Sequence, residues 1–272
     1  MREQDFPVTG PIQVRARVRA SDVTITATQT STATVQLTGD RELAERSHVD
    51  LVGGTLEVDV PQVRGGLFSG FGSKLRAEIT VPTGSSVLAK SGSGDLHTTG
   101  DLAEVELRSG SGDLNVSAAA RATTTSGSGD ARIDRAATVE AAAGSGTLSI
   151  GSADDVSART GSGDIIIDYA TKVSGSAGSG ELRIGETSIA TLRSGSGSIQ
   201  VKMVRSGEIG ATSASGSLTV GVADGTPTLL DCQAVSGRVR SELEPSGEPG
   251  EGENSVVLRL RTASGNITVL RA

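Results

Sequence analysis

The phrase "SGSGDL" occupies Ser91–Leu96 and returns unchanged at Ser109–Leu114. Taking the second glycine of each "GSG" as an anchor places copies at Gly94, Gly112, Gly129, Gly146, Gly163, Gly180 and Gly197. The first interval is eighteen residues and the next five are each seventeen. A flexible linker has no reason to keep register, so a fixed period over seven copies marks a repeat architecture in which each unit packs on its neighbours.

The residues after each anchor give the unit its shape. The stretches "DLHT", "DLNV", "DARI", "TLSI", "DIII", "ELRI" and "SIQV" all place an apolar residue two positions past the glycine, and all but the first place another four past it. That alternation is the signature of a short strand with one inward face. A second inward column lies about ten residues past the anchor and includes Val105, Val139, Val156 and Val173. Each repeat therefore reads as two short strands joined by two bends, with the glycines admitting the bend, Asp95 facing the corner and Leu96 returning to the core. Neither strand buries its face alone. Stacking successive repeats at the ladder spacing of about 4.8 Å makes parallel ladders around a narrow aliphatic core. The expected fold is all-β: a single-domain parallel β-solenoid with about 17-residue coils and an N-terminal strand-rich cap. Ser93, Ser111, Ser128, Ser145, Ser162, Ser179 and Ser196 are expected to form a hydroxyl column along its corner.

Composition agrees. The 272 residues contain 37 Gly but 7 Pro, no Trp, one Tyr (Tyr169) and three Phe, so the core must be built of small aliphatic side chains. Upstream, "IQVRARV", "DVTITAT", "TATVQL" and "TLEVDV" alternate with period two between Ile12 and Val60, and Asp40–Ser47 has room for a helical turn or two. Downstream, "ASGSLTV", "VSGRVRS" and "ASGNITV" are looser copies of the repeat. The expected organisation is 1–90 as N-terminal strands and cap, 91–243 as the regular solenoid, 244–254 as an acidic loop and 255–272 as C-terminal strands or cap.

The strand-rich lead, "LRAEITVPTGSSV" at Leu75–Val87, the serial "SGSGDL" copies and the terminal "ASGNITV" together resemble the bacterial "putative adhesin" β-solenoid family, also called the toastrack domain. The resemblance covers nearly the whole chain and implies a noncatalytic β-rich scaffold. Members of that family are often linked to envelope-stress and membrane-associated signalling. The family supplies no set of catalytic residues to carry over.

Several chemistries are poorly supported. No basic footprint for nucleic acid accompanies the net charge of −7. His48 and His97 are far apart and Cys232 is the sole cysteine, so neither zinc spacing nor an intrachain disulfide is present. The Gly-Ser phrases lack the Lys-Ser/Thr that completes a phosphate loop, and there is no nucleophile elbow. No catalytic residue and no cofactor is expected.

Two features compete for a binding role. Asp95, Asp113, Asp130, Asp164 and Glu181 fall in one acidic column, broken by Thr147 and ended by Ser198. It reads either as a solvated corner in which carboxylates cap backbone amides or as a weak divalent-cation site. The second feature is "GGLFSGFGS", where Leu67, Phe68 and Phe71 gather in a chain nearly free of aromatics. These are interaction candidates, to be weighed against a capping role at the end of the core.

The functional expectation is a noncatalytic scaffold or protein-interaction module in bacterial envelope-stress signalling. The alternatives are a carbohydrate- or surface-binding adhesin-like protein and, behind both, a solenoid polysaccharide-active enzyme. An unidentified protein partner and end-to-end self-association through open strand edges are expected, with no membrane span. The charged N-terminal stretch lacks an apolar leader, which gives the expectation of a cytoplasmic protein, peripheral at the membrane through a partner.

Overall fold

A computed structural model describes residues 1–61, 75–243 and 254–272. The chain forms two compact units, Met1–Ala136 and Ala137–Ala272. Each is a stack of parallel β-coils.

In the first unit the strands are β1 (Arg2–Pro7), β2 (Gln13–Arg17), β3 (Asp22–Thr28) and β4 (Thr32–Gly39), then helix α1 (Arg41–Arg46). They are followed by β5 (His48–Val52), β6 (Thr55–Asp59), β7 (Leu75–Pro82), β8 (Ser86–Ser91), β9 (Leu96–Ser109) and β10 (Leu114–Ser126). Strand β11 (Ala131–Ala143) crosses the division. The coil made by β2 and β3 lies between two others: β2 pairs in parallel with β6 and β8, and β3 with β7 and β9. Val14 thus stands between Leu56 and Val87, and Val23 between Ala77 and Leu96, all of them buried.

Parallel stacking stops at the N-terminal side because the chain turns antiparallel there. Strand β4 pairs antiparallel with β7, β1 with β4, and β5 with β6. The β5–β6 hairpin turns on Gly53 and Gly54, whose φ values of 55° and 77° suit the two-residue turn that follows strand twist. Helix α1 forms where the sequence allowed a turn or two. The Asp40 carboxylate accepts from the Leu43 N–H at 2.9 Å, and the Arg2 guanidinium donates to the carbonyls of Ala44 and Ser47 at the other end. Leu43 and Ala44 are the helix's buried residues.

In the second unit the strands are β12 (Leu148–Thr160), β13 (Ile165–Ala177), β14 (Leu182–Ser194), β15 (Ile199–Val204), β16 (Gly207–Ser215) and β17 (Leu218–Val222). They continue with β18 (Thr228–Ser236), β19 (Val239–Ser241), β20 (Val256–Ser264) and β21 (Ile267–Arg271). The seventeen-residue period is direct register: Leu148 pairs with Ile165 and Ile165 with Leu182, while Val156 pairs with Val173 and Val173 with Ala190. Both inward columns read from the sequence are buried.

The second bend of the coil takes two forms. From β10 to β14 a repeat is one continuous strand of thirteen residues running from one Gly-Ser-Gly corner to the next, whereas the coil after Gly197 divides into β15 and β16. In β12 the buried positions are 148, 150, 153, 156, 158 and 160. The two steps of three interrupt a period of two, and ladder pairing skips Gly151 and Asp154 at those steps. A strand can wrap a core this way because each extra residue returns the next side chain to the inner face.

Stacking order departs from chain order near the C-terminus. Strand β20 pairs with β16 on one side and β18 on the other; β21 does the same between β17 and β19. The coil of β18 and β19 therefore forms the edge of the stack, although it precedes β20 in the chain.

Candidate functional site

The repeated corner is built by close approach of backbones. None of the anchor glycines has a positive φ. Instead, a Cβ added to Gly112 would meet the Gly94 carbonyl oxygen at 2.1 Å, and one on Gly163 would meet the Gly146 oxygen at 1.9 Å. The bend that glycine was expected to permit is thus a contact that only glycine permits. The first glycine of each phrase is confined in the same way: Gly127 would place a Cβ 2.4 Å from the Gly110 oxygen.

The hydroxyls divide into two sets. Ser93, Ser111 and Ser128 in the first unit, and Ser145, Ser162, Ser179 and Ser196 in the second, are exposed. Their backbone amides hold the corner ladder, as when Ser179 donates to the Gly161 carbonyl at 3.1 Å. The side chains that cap the turn lie three residues before the anchor. Ser91, Ser109, Thr160 and Ser194 accept from the N–H of Gly94, Gly112, Gly163 and Gly197 at 2.8 to 3.0 Å. This position was legible in the repeat, but the middle serine masked it.

The acidic column is a chain of backbone caps. In the first unit, the Asp95 N–H donates to Asp22 Oδ1, Asp113 to Asp95 and Asp130 to Asp113, at 2.9 to 3.1 Å. In the second, Glu181 donates to Asp164 Oδ1 at 2.9 Å. The carboxylates of Asp22, Asp95, Asp113 and Asp164 each satisfy an amide of the neighbouring coil, not of their own turn, while the Glu181 carboxylate pairs with Arg183. Asp22 belongs to this column too, and the signal for it was present: "SDV" at Ser21–Val23 is a worn copy of "GDL" at Gly94–Leu96. Replacing Asp113 by Ala should cost about 1 kcal/mol in a urea unfolding titration, since the Asp130 amide loses its acceptor. Asp113→Asn keeps an oxygen there and should cost less than half as much.

Among the described residues, no three His, Cys, Asp or Glu converge as a metal centre would require. Leu67, Phe68 and Phe71 lie outside the described residues.

A different surface emerges where β2, β6 and β8 end together. An open cleft of about 730 Å³ lies there, with Arg17, Arg19, Asp59 and Lys90 on its lining. Ladder register explains the arrangement: Arg17 pairs with Asp59 on one side and Lys90 on the other, and Lys90 pairs in turn with Arg108. Three cations thus occupy successive rungs, with Arg19 two residues beyond Arg17. Arg108 is neutralised by Glu106 at 2.7 Å, whereas Arg17, Arg19 and Lys90 make no ion pair among the described residues. Like charges directly opposite on a ladder are destabilising. Their retention at one place, in a chain of net charge −7, sets the cleft apart. Half of this was legible, since Lys90 and Arg108 both stand four residues before an anchor. Arg17 required the register of the irregular lead.

Stacks of parallel coils with glycine-limited corners define a β-solenoid. The chain belongs to the Toastrack DUF4097 family, whose sequence profile matches residues 12–270. No curated protein is significantly similar to it.

Among solved structures, it is similar to a "putative adhesin" from Bacteroides fragilis at 15% identity, covering 98% of this chain and 96% of that one, with a TM-score of 0.48. It is similar also to a "putative lipid binding protein" from Parabacteroides distasonis at 16% identity, covering 99% and 96%, with a TM-score of 0.49. A "putative adhesin" from Parabacteroides merdae matches at 10% identity over 99% and 96%, with a TM-score of 0.47.

These comparisons correct one expectation. The charged N-terminal stretch suggests a cytoplasmic location, whereas the similar structures bear adhesin and lipid-binding names. The physical reason is that Arg2–Pro7 is strand β1, paired along its length with β4 and alternating half-buried with exposed positions, so its charged residues serve the fold and say nothing of location. Among the described residues, no helix is long and apolar enough to cross a membrane.

Proposed function

We propose that this protein is a noncatalytic surface-binding module that engages anionic phospholipid headgroups through Arg17, Arg19 and Lys90. The observation that supports this reading is the run of like charges on adjacent rungs, Arg17 and Lys90, beside an open cleft. An anion seated between them offsets a repulsion that the fold otherwise carries. A headgroup phosphate suits the site because guanidinium groups bind phosphate in a forked, two-bond geometry, and Lys90 adds a point charge.

The adhesin-like reading is preferred to a scaffold in envelope-stress signalling because it names a surface. One structure sharing the fold bears a lipid-binding name, and the cleft gives such a role a place in this chain; the proposal rests on the cleft. Enzymatic action on polysaccharide finds no paired carboxylates among the described residues lining this cleft, where Asp59 is the one acidic residue.

The test is co-sedimentation with phosphatidylglycerol vesicles and, in parallel, with neutral phosphatidylcholine vesicles. Binding should be confined to the anionic vesicles and weaken as salt rises. Each basic residue near an anionic surface contributes about 1 kcal/mol, so Arg17→Ala with Lys90→Ala should weaken binding about 30-fold. Equal binding to both vesicles, or unchanged binding by the double variant, would overturn the proposal.

A further inference from the structure

The edge coil of the second unit carries a surface of its own. Among the described residues, β18 pairs only with β20, leaving its other backbone edge open. Its large side chains are unusually bare: Leu229 is 66% exposed and Val235 87%. Register assigns the faces. Leu230, Cys232 and Ala234 lie over Leu258, Leu260 and Thr262, which are buried, so these three share the inward face, although Leu230 at this edge is still 38% exposed. Leu229, Asp231, Gln233 and Val235 point outward.

We infer that β18 pairs antiparallel with β18 of a second copy, about a two-fold axis through Cys232, joining the two edge coils end to end. The sequence of the strand selects this partner. An antiparallel two-fold pairing keeps outward residues opposite outward ones, so its axis must pass through a residue and not between two. Centring on Cys232 uses the full strand, Thr228–Ser236, and sets Leu229 opposite Val235 of the second copy, twice over. The two most exposed large aliphatics of this strand then cover each other. Asp231, which Arg261 already approaches at 3.5 Å, falls opposite Gln233 of the second copy and has a second oxygen for its amide, while Leu230 meets Ala234 on the inward face.

Neighbouring registers fail. Centring on Asp231 sets that carboxylate against its own copy, and centring on Gln233 places Asp231 opposite Val235 while Leu229 loses its partner. The pairing also fits the need of a bare edge, since unpaired backbone groups on an exposed apolar strand recruit another strand unless something blocks them. A closed two-fold contact uses up the edge and stops at a dimer.

This inference is independent of the anion-binding cleft, which lies in the other unit. Sedimentation equilibrium of the full chain over a concentration range should fit a monomer–dimer equilibrium with no larger species. Val235→Asp should weaken dimerisation at least about tenfold, because it replaces both apolar cross-strand pairs with buried charge. Since Val235 is bare in the single chain, the melting temperature measured at the lowest concentration should not change. Cys232 supplies a second readout: with an added oxidant such as copper–phenanthroline, the opposed thiols should join two chains of the wild type by a disulfide, but not those of Cys232→Ala or Val235→Asp. Desolvation, and then Asp231, raise the thiol's pKa, so the reaction is run at mildly alkaline pH. A monomer at all concentrations, open-ended growth, or a dimer unaffected by Val235→Asp would overturn the inference.

Discussion

Gly180→Ala is expected to destabilise the protein by about 3 kcal/mol or more, at the upper end of what overpacking costs. An added Cβ would lie 1.6 Å from the Gly163 oxygen and 2.4 Å from its carbon, far inside contact distance. The obstructing atoms are backbone, so no rotamer change relieves the clash. Nor can the corner slide away. The Gly178 and Ser179 amides are bound to Thr160 and Gly161 carbonyls, Glu181 to the Asp164 carboxylate, and Leu182 to the Ser198 carbonyl, all within 3.1 Å. Gly210 provides the control. Its φ is not positive and the nearest atom to an added Cβ is the Ala190 oxygen at 3.8 Å, an ordinary contact. Gly210→Ala should be neutral or stabilise by up to about 1 kcal/mol through the unfolded chain. Urea titrations of the two variants separate a steric demand from a general preference for glycine. Equal losses would show that the corner clash is not the cause.

The second large effect belongs to the inner column. Leu182 is fully buried, with Ile165 and Ile199 on the rungs either side of it. Leu182→Ala should cost about 2 to 5 kcal/mol, because neighbouring coils are held by their own ladders and collapse only partly into the space. Gly175 bears on the outcome. A Cβ there would sit 3.0 Å from Leu182 Cδ2 and from Leu192 Cδ2, so glycine at this inward position makes room for both leucines. Adding Gly175→Ala to Leu182→Ala should recover part of the loss, although Gly175→Ala alone is unfavourable. That change of sign, measured as a double-mutant cycle, identifies the pair as sharing one volume. Ile189, half exposed on the outward face, is the counterpart, and Ile189→Ala should stay within about 0.5 kcal/mol of the wild type.

The repeat made the inner columns readable because burial in a ladder depends on position relative to the anchor, and the anchor recurs every seventeen residues. Leu148, Ile165 and Leu182 could be placed without any knowledge of the coil's outline. Outline was harder. A strand that shifts phase at Gly151 and Asp154 has no local marker, since the same small and polar residues suit a turn as well as a skipped rung. The glycines were recognised for the wrong property, as freedom of φ and close approach select the same residue type. Stacking order was beyond reach altogether. "VSGRVRS" and "ASGNITV" are equally good copies, and nothing in either says which lies nearer the regular coils. For the same reason the cleft was overlooked. Arg17 and Lys90 are 73 residues apart, joined only through the register of a lead whose own copy of the corner phrase has decayed.

The place of β20 and β21 inside the stack sets an order of assembly. A chain emerging from synthesis can add coils one upon another as far as Val222. The next residues, Thr228–Ser241, then have no surface to settle on, because the rungs they will occupy rest on residues 256–271. They must wait, unpaired, while a later segment arrives and docks beneath them. The β20–β21 coil is therefore a latch: a later stretch of the chain is the one that lets an earlier stretch close.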